Sequence, residues 1–236
     1  MREAVSEVSR LLYGRKRGRK LRPGQQALLE RMLPVLRLEL PAPGARLDPA
    51  HLFSPAKRDL WIEIGFGGGE HLAAQAAAHP EIGFVGCEPF VNGLVGLFAH
   101  MRDRNLTNIR VFDDDARLLL AALPEAGVGR AFILFPDPWP KKRHHKRRIV
   151  GPATLDLLAF ALKDGAELRF ASDDAAYVRW TLTHVLNHGA FEWLAEGPND
   201  WRRRPADWPP TRYEEKAEKA GRSCYFLRFR RQPRGA

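Results

Sequence analysis

From residue 59 onward, short apolar runs alternate with stretches whose apolar positions recur every three or four residues. Residues 60–64 read as a buried strand, 70–79 as an alanine-rich helix and 83–87 as the next strand. A helix is predicted over 91–104, with Leu94, Val95, Leu97, Phe98 and Met101 on one face. The pattern continues as strand 108–112, helix 116–123, strand 131–135, helix 154–162, strand 167–171 and helix 175–187. Strands joined by crossover helices pair in parallel, and the helices cover both faces of the sheet. The predicted class is therefore α/β, with a mostly parallel sheet. Residues 195–221, rich in Pro, Trp, Arg and Glu, read as a loop with a short helix, and 224–230 as a last strand. Before residue 59 one helix is predicted over 25–33, followed by a proline-rich connection. The chain divides on this reading into an N-terminal segment, 1–58, and one main domain, 59–236. In such sheets ligands bind beyond the carboxyl ends of the strands. Chemistry is thus expected just after residues 64, 88, 113, 135 and 171.

Composition narrows the partners. At 236 residues and 44% apolar, the chain can bury a full core. No stretch is long and apolar enough to cross a bilayer, and the first 22 residues lack the apolar centre of a signal peptide, so no membrane partner is expected. The two cysteines, Cys87 and Cys224, favour a reducing compartment, which makes the cytoplasm the expected location. The net charge of +10 is clustered: at 15–22, at 141–148, at Arg202-Arg203-Arg204, and at Arg228, Arg230, Arg231 and Arg234. Clustered like charge is tolerated most easily when a polyanion neutralises it, so nucleic acid is the natural partner. A solubility face or a basic tail serves equally well for the N-terminal cluster and the last arginines. The cluster at 141–148 is different, because it follows a buried-looking strand directly.

The first strand runs into Glu63-Ile64-Gly65-Phe66-Gly67-Gly68-Gly69-Glu70. A dinucleotide fingerprint needs glycine at the first, third and sixth places of this turn. Counted from Gly65, the sixth place is Glu70, and an acid there would repel a pyrophosphate at the helix N-terminus. A nicotinamide-dependent oxidoreductase is disfavoured on that ground. The spacing resembles motif I of class I methyltransferases, whose cofactor is S-adenosyl-L-methionine. Glu88, at the end of the second strand, can accept hydrogen bonds from both ribose hydroxyls. Asp115 ends the third strand; it is placed to cap the helix beginning at Ala116, and by the same resemblance to hold the adenine amine, and the two roles are compatible.

After the fourth strand comes Phe135-Pro136-Asp137-Pro138-Trp139-Pro140-Lys141, a stiff platform carrying one carboxylate and one large aromatic. With the following Lys142-Arg143-His144-His145-Lys146-Arg147-Arg148, it resembles the signature of the bacterial tRNA (guanine-46-N7)-methyltransferase family. Ser172-Asp173 and Thr211-Arg212-Tyr213-Glu214 resemble that family's Thr-Asp and Thr-Lys-Phe-Glu stretches, as does the early arginine-rich segment followed by Gln25. The resemblance implies a Rossmann-like class I methyltransferase fold with a final antiparallel strand. It also implies S-adenosyl-L-methionine as cofactor and the variable loop of tRNA as substrate. It assigns Glu63, Gly65, Gly67, Glu88, Asp115 and Asp137 to the cofactor, and Asp137 to the reaction centre as well. Lys141, Asp173, Thr211, Arg212, Tyr213 and Glu214 are assigned to the RNA.

Guanine N7 carries a lone pair and no proton, so its methylation needs alignment rather than a general base. A carboxylate beside the base would follow the charge as it moves onto the guanine. Asp137, Asp173 and Glu214 are each candidates for reading the guanine edge. His144 and His145 lie among cations and would point in opposite directions on an extended backbone, so no metal site is expected. Trp193, Trp201 and Trp208 suit either base stacking or packing. Other RNA methyltransferases, and a non-catalytic RNA-binding protein on the same fold, are the competing readings. Monomer and homodimer both remain open.

Overall fold

The computed structural model describes residues 12–14, 16–42 and 44–235. Arg15 of the N-terminal basic cluster, and the start of the 1–58 segment, lie outside the described residues. Seven strands form one sheet: β1 Asp59–Ile64, β2 Ile82–Cys87, β3 Ile109–Phe112, β4 Val128–Leu134, β5 Leu162–Ser172, β6 Phe191–Trp193 and β7 Tyr225–Arg231. Their order is β3-β2-β1-β4-β5-β7-β6. The first five pair in parallel, while β7 runs antiparallel to both β5 and β6. The mostly parallel sheet and the antiparallel final strand are as expected. β6 is an addition to the predicted elements: three residues carry too little alternation to register as a strand.

The helices are α1 Pro23–Leu36, α2 Glu70–Ala78, α3 Val91–Arg104, α4 Ala116–Ala122, α5 Pro152–Ala161, α6 Ala175–His188, α7 Asn199–Arg202 and α8 Arg212–Lys219. Two apolar clusters lie on opposite faces of the sheet. One joins Ile62, Ile64 and Ile133 to Leu119 of α4, Leu155 and Leu158 of α5, and Tyr177 and Val185 of α6. The other joins Trp61, Phe84 and Phe132 to Leu28 of α1, Leu72 of α2, and Leu94, Leu97 and Phe98 of α3. Strands buried on both faces read as near-continuous apolar runs, which is why 60–64 and 131–135 are legible in the sequence.

α1 extends beyond the predicted 25–33 at both ends. Pro23 suits the first helical position, where no N–H partner is needed, and the Gln25 side chain accepts the Arg22 N–H at 3.0 Å. The chain then runs along the outer edge of β3, where the Leu38 N–H donates to the Val111 carbonyl at 2.8 Å. Leu38, Leu47 and Phe53 are buried in the first cluster.

Sequential strands step outward from β1 in one direction through β2 and β3, then restart on its other side at β4. This reversal opens a crevice between the carboxyl ends of β1 and β4, the usual place for a ligand in an open α/β sheet.

Candidate functional site

A cavity of about 640 Å³ occupies that crevice. Its walls include Gly65 and Gly67 after β1, Glu88 after β2, Asp115 after β3, and Phe135 and Asp137 after β4. The first turn depends on glycine. Gly65 and Gly67 have φ of +74° and +58°, a region that side chains disfavour. A Cβ on Gly67 would lie 2.8 Å from the Tyr213 ring, so the bare backbone is also what lets Tyr213 close over the turn.

Glu88 is held from below by the backbone: Oε2 accepts the Gly67 N–H at 2.8 Å and Oε1 the Phe90 N–H at 3.0 Å. Burial nevertheless dominates and pushes its carboxyl up to about 7, assisted by the nearby charge of Asp137 and opposed by the two N–H donors and Arg212. Such a group gains when a ligand brings further donors. Asp115 is buried and does cap α4, accepting the Arg117 N–H at 3.0 Å, while the Arg117 guanidinium reaches both of its oxygens at 3.2 Å. The same carboxylate lines the cavity, so the geometry accommodates both roles. Burial also drives the Cys87 thiol far above its ordinary value, leaving it an inert wall residue.

Glu63 is placed differently from Glu88 and Asp115. It is 3% exposed and is absent from the cavity lining, and its carboxylate is 2.7 Å from His71 Nδ1 on α2. Nothing in the sequence around His71 singles it out as that partner.

The Pro-Asp-Pro-Trp loop crosses the mouth of the cavity. Phe135 and Trp139 have φ of +50° and +43°, each costing roughly 1–3 kcal/mol of backbone strain, which the surroundings must hold in place. The Phe135 N–H donates to the Ala171 carbonyl at 2.7 Å, and its ring stacks against Tyr213 with centroids 6.4 Å apart. At the far end, Arg148 Nε donates to the Pro138 carbonyl at 2.9 Å, with its guanidinium over the rings of Tyr177 and Trp180. Asp137 stands exposed between these anchors.

The basic run after the loop is therefore not uniform. Residues Lys142–Arg147 form a 3-10 helix rather than the extended backbone expected around the histidines. His144 packs on Trp139 and His145 on Trp180. Arg148 is buried, and Arg147 lies over both Trp139 and Tyr13 at the cavity wall. Lys141, Lys142, Arg143 and Lys146 remain exposed, and among the described residues no carboxylate is within salt-bridge distance of them. The C-terminal arginines, by contrast, are mostly neutralised internally. Arg228 pairs with Glu167 at 2.7 Å, Arg230 with Glu192 at 3.5 Å, and Arg234 with Glu125 at 3.0 Å and with Asp164. Arg231 donates to the Ala159 carbonyl at 2.8 Å. They brace the last strand instead of forming a free tail.

The remaining predicted residues gather on α8 and beside β5. Thr211 caps α8, its Oγ1 accepting the Glu214 N–H at 3.2 Å. Arg212 lies 3.7 Å from Glu70, which neutralises the acid at the N-terminus of α2. Tyr213 lines the first cavity, and Glu214 lines a second, also of about 640 Å³. Asp173 pairs with Arg222, another wall of the second cavity, at 2.8 Å. Trp208 is 2% exposed in the core and so has no face left for a base, while Trp201 stacks on Tyr225. Among the described residues no group of His, Cys, Asp and Glu is arranged to hold a metal ion, and no helix is long and apolar enough to cross a membrane.

The chemistry of the first cavity suits an uncharged or cationic nucleoside: apolar walls from Ile64, Ile149 and Phe135, with carboxylates beyond the ends of three strands. Residues 57–227 match the family Methyltransf_4, described as "Putative methyltransferase". The chain is 54% identical to a protein of Rhodospirillum rubrum named tRNA (guanine-N(7)-)-methyltransferase, over 100% of this chain and 93% of that one. A protein of the same name from Paramagnetospirillum magneticum is 50% identical over 94% of this chain and 93% of its own length. Among solved structures, a single-residue variant of the 16S rRNA (adenine(1408)-N(1))-methyltransferase from Catenulisporales acidiphilia aligns with a TM-score of 0.51. That match covers 79% of this chain and 92% of that one at 16% identity, and it speaks to the fold alone.

Proposed function

The chain belongs to the bacterial tRNA (guanine-N7)-methyltransferase family, and on that premise we propose that it transfers the methyl group of S-adenosyl-L-methionine to N7 of guanine 46 in the tRNA variable loop. The observation that carries this reading is the meeting, in one crevice, of the Glu88 and Asp115 carboxylates with Asp137 on its stiff loop. S-adenosyl-L-methionine supplies an electrophilic methyl on a cationic sulfur.

The chain's residues do the rest by binding and alignment. Glu88, ionised, accepts from the ribose hydroxyls, and Asp115 accepts from the adenine amine. Gly65 and Gly67 let the ligand approach the backbone, and Glu63 belongs to the same assignment from behind the turn. No residue needs to remove a proton from guanine N7. Asp137 stands at the mouth, where its charge favours the guanine as it becomes cationic. The strained loop holds that carboxylate with little freedom left to lose on binding. Lys141, Asp173, Thr211, Arg212, Tyr213 and Glu214 form the RNA side of the site, and the exposed cations at 141–146 lie along the phosphate backbone. Such an enzyme works in the cytoplasm, where its tRNA substrate is.

The test is methyl transfer from labelled S-adenosyl-L-methionine to bulk tRNA, followed by nuclease digestion and mass analysis. N7-methylguanosine confined to the variable loop is the expected product. Label on another base would keep the cofactor and overturn the substrate, and cofactor binding without transfer would favour a binding-only role.

A further inference from the structure

We propose that Arg117 is a positioning residue whose guanidinium fixes both the orientation and the charge of the Asp115 carboxylate, so that the first cavity accepts a base bearing an amine and rejects one bearing a carbonyl oxygen at the same place. The proposal rests on the reading of Asp115 as the acceptor for the adenine amine, and names what makes that acceptor selective.

Arg117 stands where a cation is hard to place. It is the second residue of α4, at the positive end of the helix. It is 9% exposed, and arginine is almost never buried without a partner. It walls the first cavity together with Asp115. Towards α6 its charge reaches the phenol of Tyr177, which burial pushes up to about 12 and keeps neutral. The anion that holds Arg117 in place is Asp115.

The pair is built to hold the carboxylate still. The Arg117 backbone N–H donates to Asp115 Oδ1 at 3.0 Å, the ordinary contact of a helix cap. That contact fixes one oxygen and leaves the last side-chain torsion, which is broad in aspartate, to its surroundings. Arg117 Nη1 supplies the missing restraint, donating to Oδ1 and to Oδ2 at 3.2 Å each. One nitrogen bridging both oxygens restrains the carboxylate plane, and it does so from the residue that also makes the cap.

The charge calls for the same partner. A second acid adjoins Asp115, whose own N–H donates to Asp114 Oδ1 at 2.8 Å. Beside it lies the Cys87 thiol, driven far above its ordinary value by burial and so without charge to offer. Burial and a neighbouring acid both disfavour an ionised carboxylate, and an adjacent cation favours it. Arg117 is that cation. An ionised carboxylate only accepts, whereas a carboxylic acid also donates. Adenine carries an amine on its Watson–Crick edge, and hypoxanthine carries a carbonyl oxygen at the same carbon. A charged, restrained carboxylate attracts the first and repels the second. A protonated or turning one loses the distinction.

The experiment measures, by calorimetry, the Kd for S-adenosylhomocysteine and for S-inosylhomocysteine, in which hypoxanthine replaces adenine. The proteins compared are the wild type, Arg117→Met, Arg117→Lys and Asp115→Asn, each with a melting curve. The wild type is expected to prefer the adenosyl compound by about tenfold or more, the worth of one hydrogen bond to a charged group. In Arg117→Met, which keeps length and removes charge and donors, the preference should fall to about threefold or less, and Arg117→Lys should lie between the two. A merely structural role would weaken both compounds alike and leave their ratio alone. An unchanged ratio in Arg117→Met therefore overturns the proposal, and so does a larger one, which would mean that Arg117 itself touches the base. Should Arg117→Met not fold, a wild-type ratio in Arg117→Lys overturns it alone. Asp115→Asn, whose amide can donate, is expected to lose the preference outright. A preference retained there, or no binding of S-adenosylhomocysteine by the wild type, would strike the underlying reading of Asp115 and the proposal with it.

Discussion

Glu63 Oε2 lies 2.7 Å from His71 Nδ1, with both residues at most 3% exposed. A carboxylate only accepts, so Nδ1 carries the proton, and Nε2 faces the Gln75 amide at 3.5 Å. Gln75 in turn donates to the Asp207 carbonyl at 2.8 Å, which links the first strand to the segment leading into α8. Replacing His71 with Leu would strand a buried carboxylate, at a cost of about 3–5 kcal/mol. For a chain of this size a fall in Tm of roughly 10 °C is expected. A Tm within about 2 °C of wild type would mean that the pair contributes little. Glu63→Gln keeps the shape; weaker cofactor binding at a nearly unchanged Tm would support a cofactor role for Glu63, and unchanged binding would make it structural.

Cofactor affinity should depend on pH through Glu88. Its carboxyl is pushed up to about 7, chiefly by burial, so the empty site holds a proton at mildly acid pH. Ribose hydroxyls donate to the ionised form, so binding releases that proton. Affinity for S-adenosylhomocysteine, measured by calorimetry, is expected to rise with pH, by up to about tenfold per unit below the raised value and little above it. The raised carboxyl also makes this group's contribution to stability decline as pH climbs from the unfolded value of 4.5 towards 7, then level off. Glu88→Gln should flatten both profiles. A steep affinity profile in that variant would assign the proton to another group.

Asp137 is the exposed carboxylate on the strained loop, so its removal should act on the reaction more than on assembly. Asp137→Ala is expected to lower kcat by about 10²–10³, the usual worth of a preorganised charge. The Kd for tRNA should change by less than about threefold, which is about 0.65 kcal/mol. Single-turnover rates beside filter binding would separate the two, and wild-type turnover would remove Asp137 from the reaction centre.

The basic clusters should differ in their response to salt. Neutralising Lys141, Lys142, Arg143 and Lys146 with Gln is expected to flatten the dependence of log K on log salt, by up to about 0.7–0.9 for each phosphate that is no longer neutralised. Replacing Arg228 and Arg234, which are paired with Glu167 and Asp164, should lower Tm and leave the slope alone. Equal slopes in the two sets would show that the mid-chain cluster does not touch phosphates.

The sheet is legible in the sequence because its five parallel strands are buried on both faces, and the turn residues between them point at the strand ends. Glu88, Asp115 and Asp137 come to the cavity for that reason: each lies within three residues of a strand end. What is not legible is pairing across the fold. Nothing local announces that Glu63 meets His71, that Arg148 turns inward, or that the last arginines find Glu167, Glu192 and Asp164. The place of Arg117, two residues beyond Asp115 in the first turn of α4, follows from helical geometry alone, whereas Tyr13 offers no such signal.

Gly93 gives the sharpest test of how tightly the cofactor turn is built. Alanine in place of glycine inside a helix normally stabilises it by about 1 kcal/mol. In α3, however, a Cβ at Gly93 would lie 2.3 Å from the Gly67 carbonyl oxygen and 3.0 Å from Glu88 Cγ. The first clash is with backbone, so either the helix or the turn must shift. Movement of the turn would break the 2.8 Å hydrogen bond from the Gly67 N–H to Glu88. Gly93→Ala is expected to weaken S-adenosylhomocysteine binding by tenfold or more, about 1.4 kcal/mol, and to lower Tm despite the better helix former. Gly96→Ala, whose Cβ would meet the Gly68 carbonyl oxygen at 2.7 Å and whose three nearest atoms all belong to Gly68, should have a smaller effect on binding. A raised Tm with undiminished affinity in Gly93→Ala would show that the turn yields freely, and that the close approach of α3 does not set the cofactor geometry.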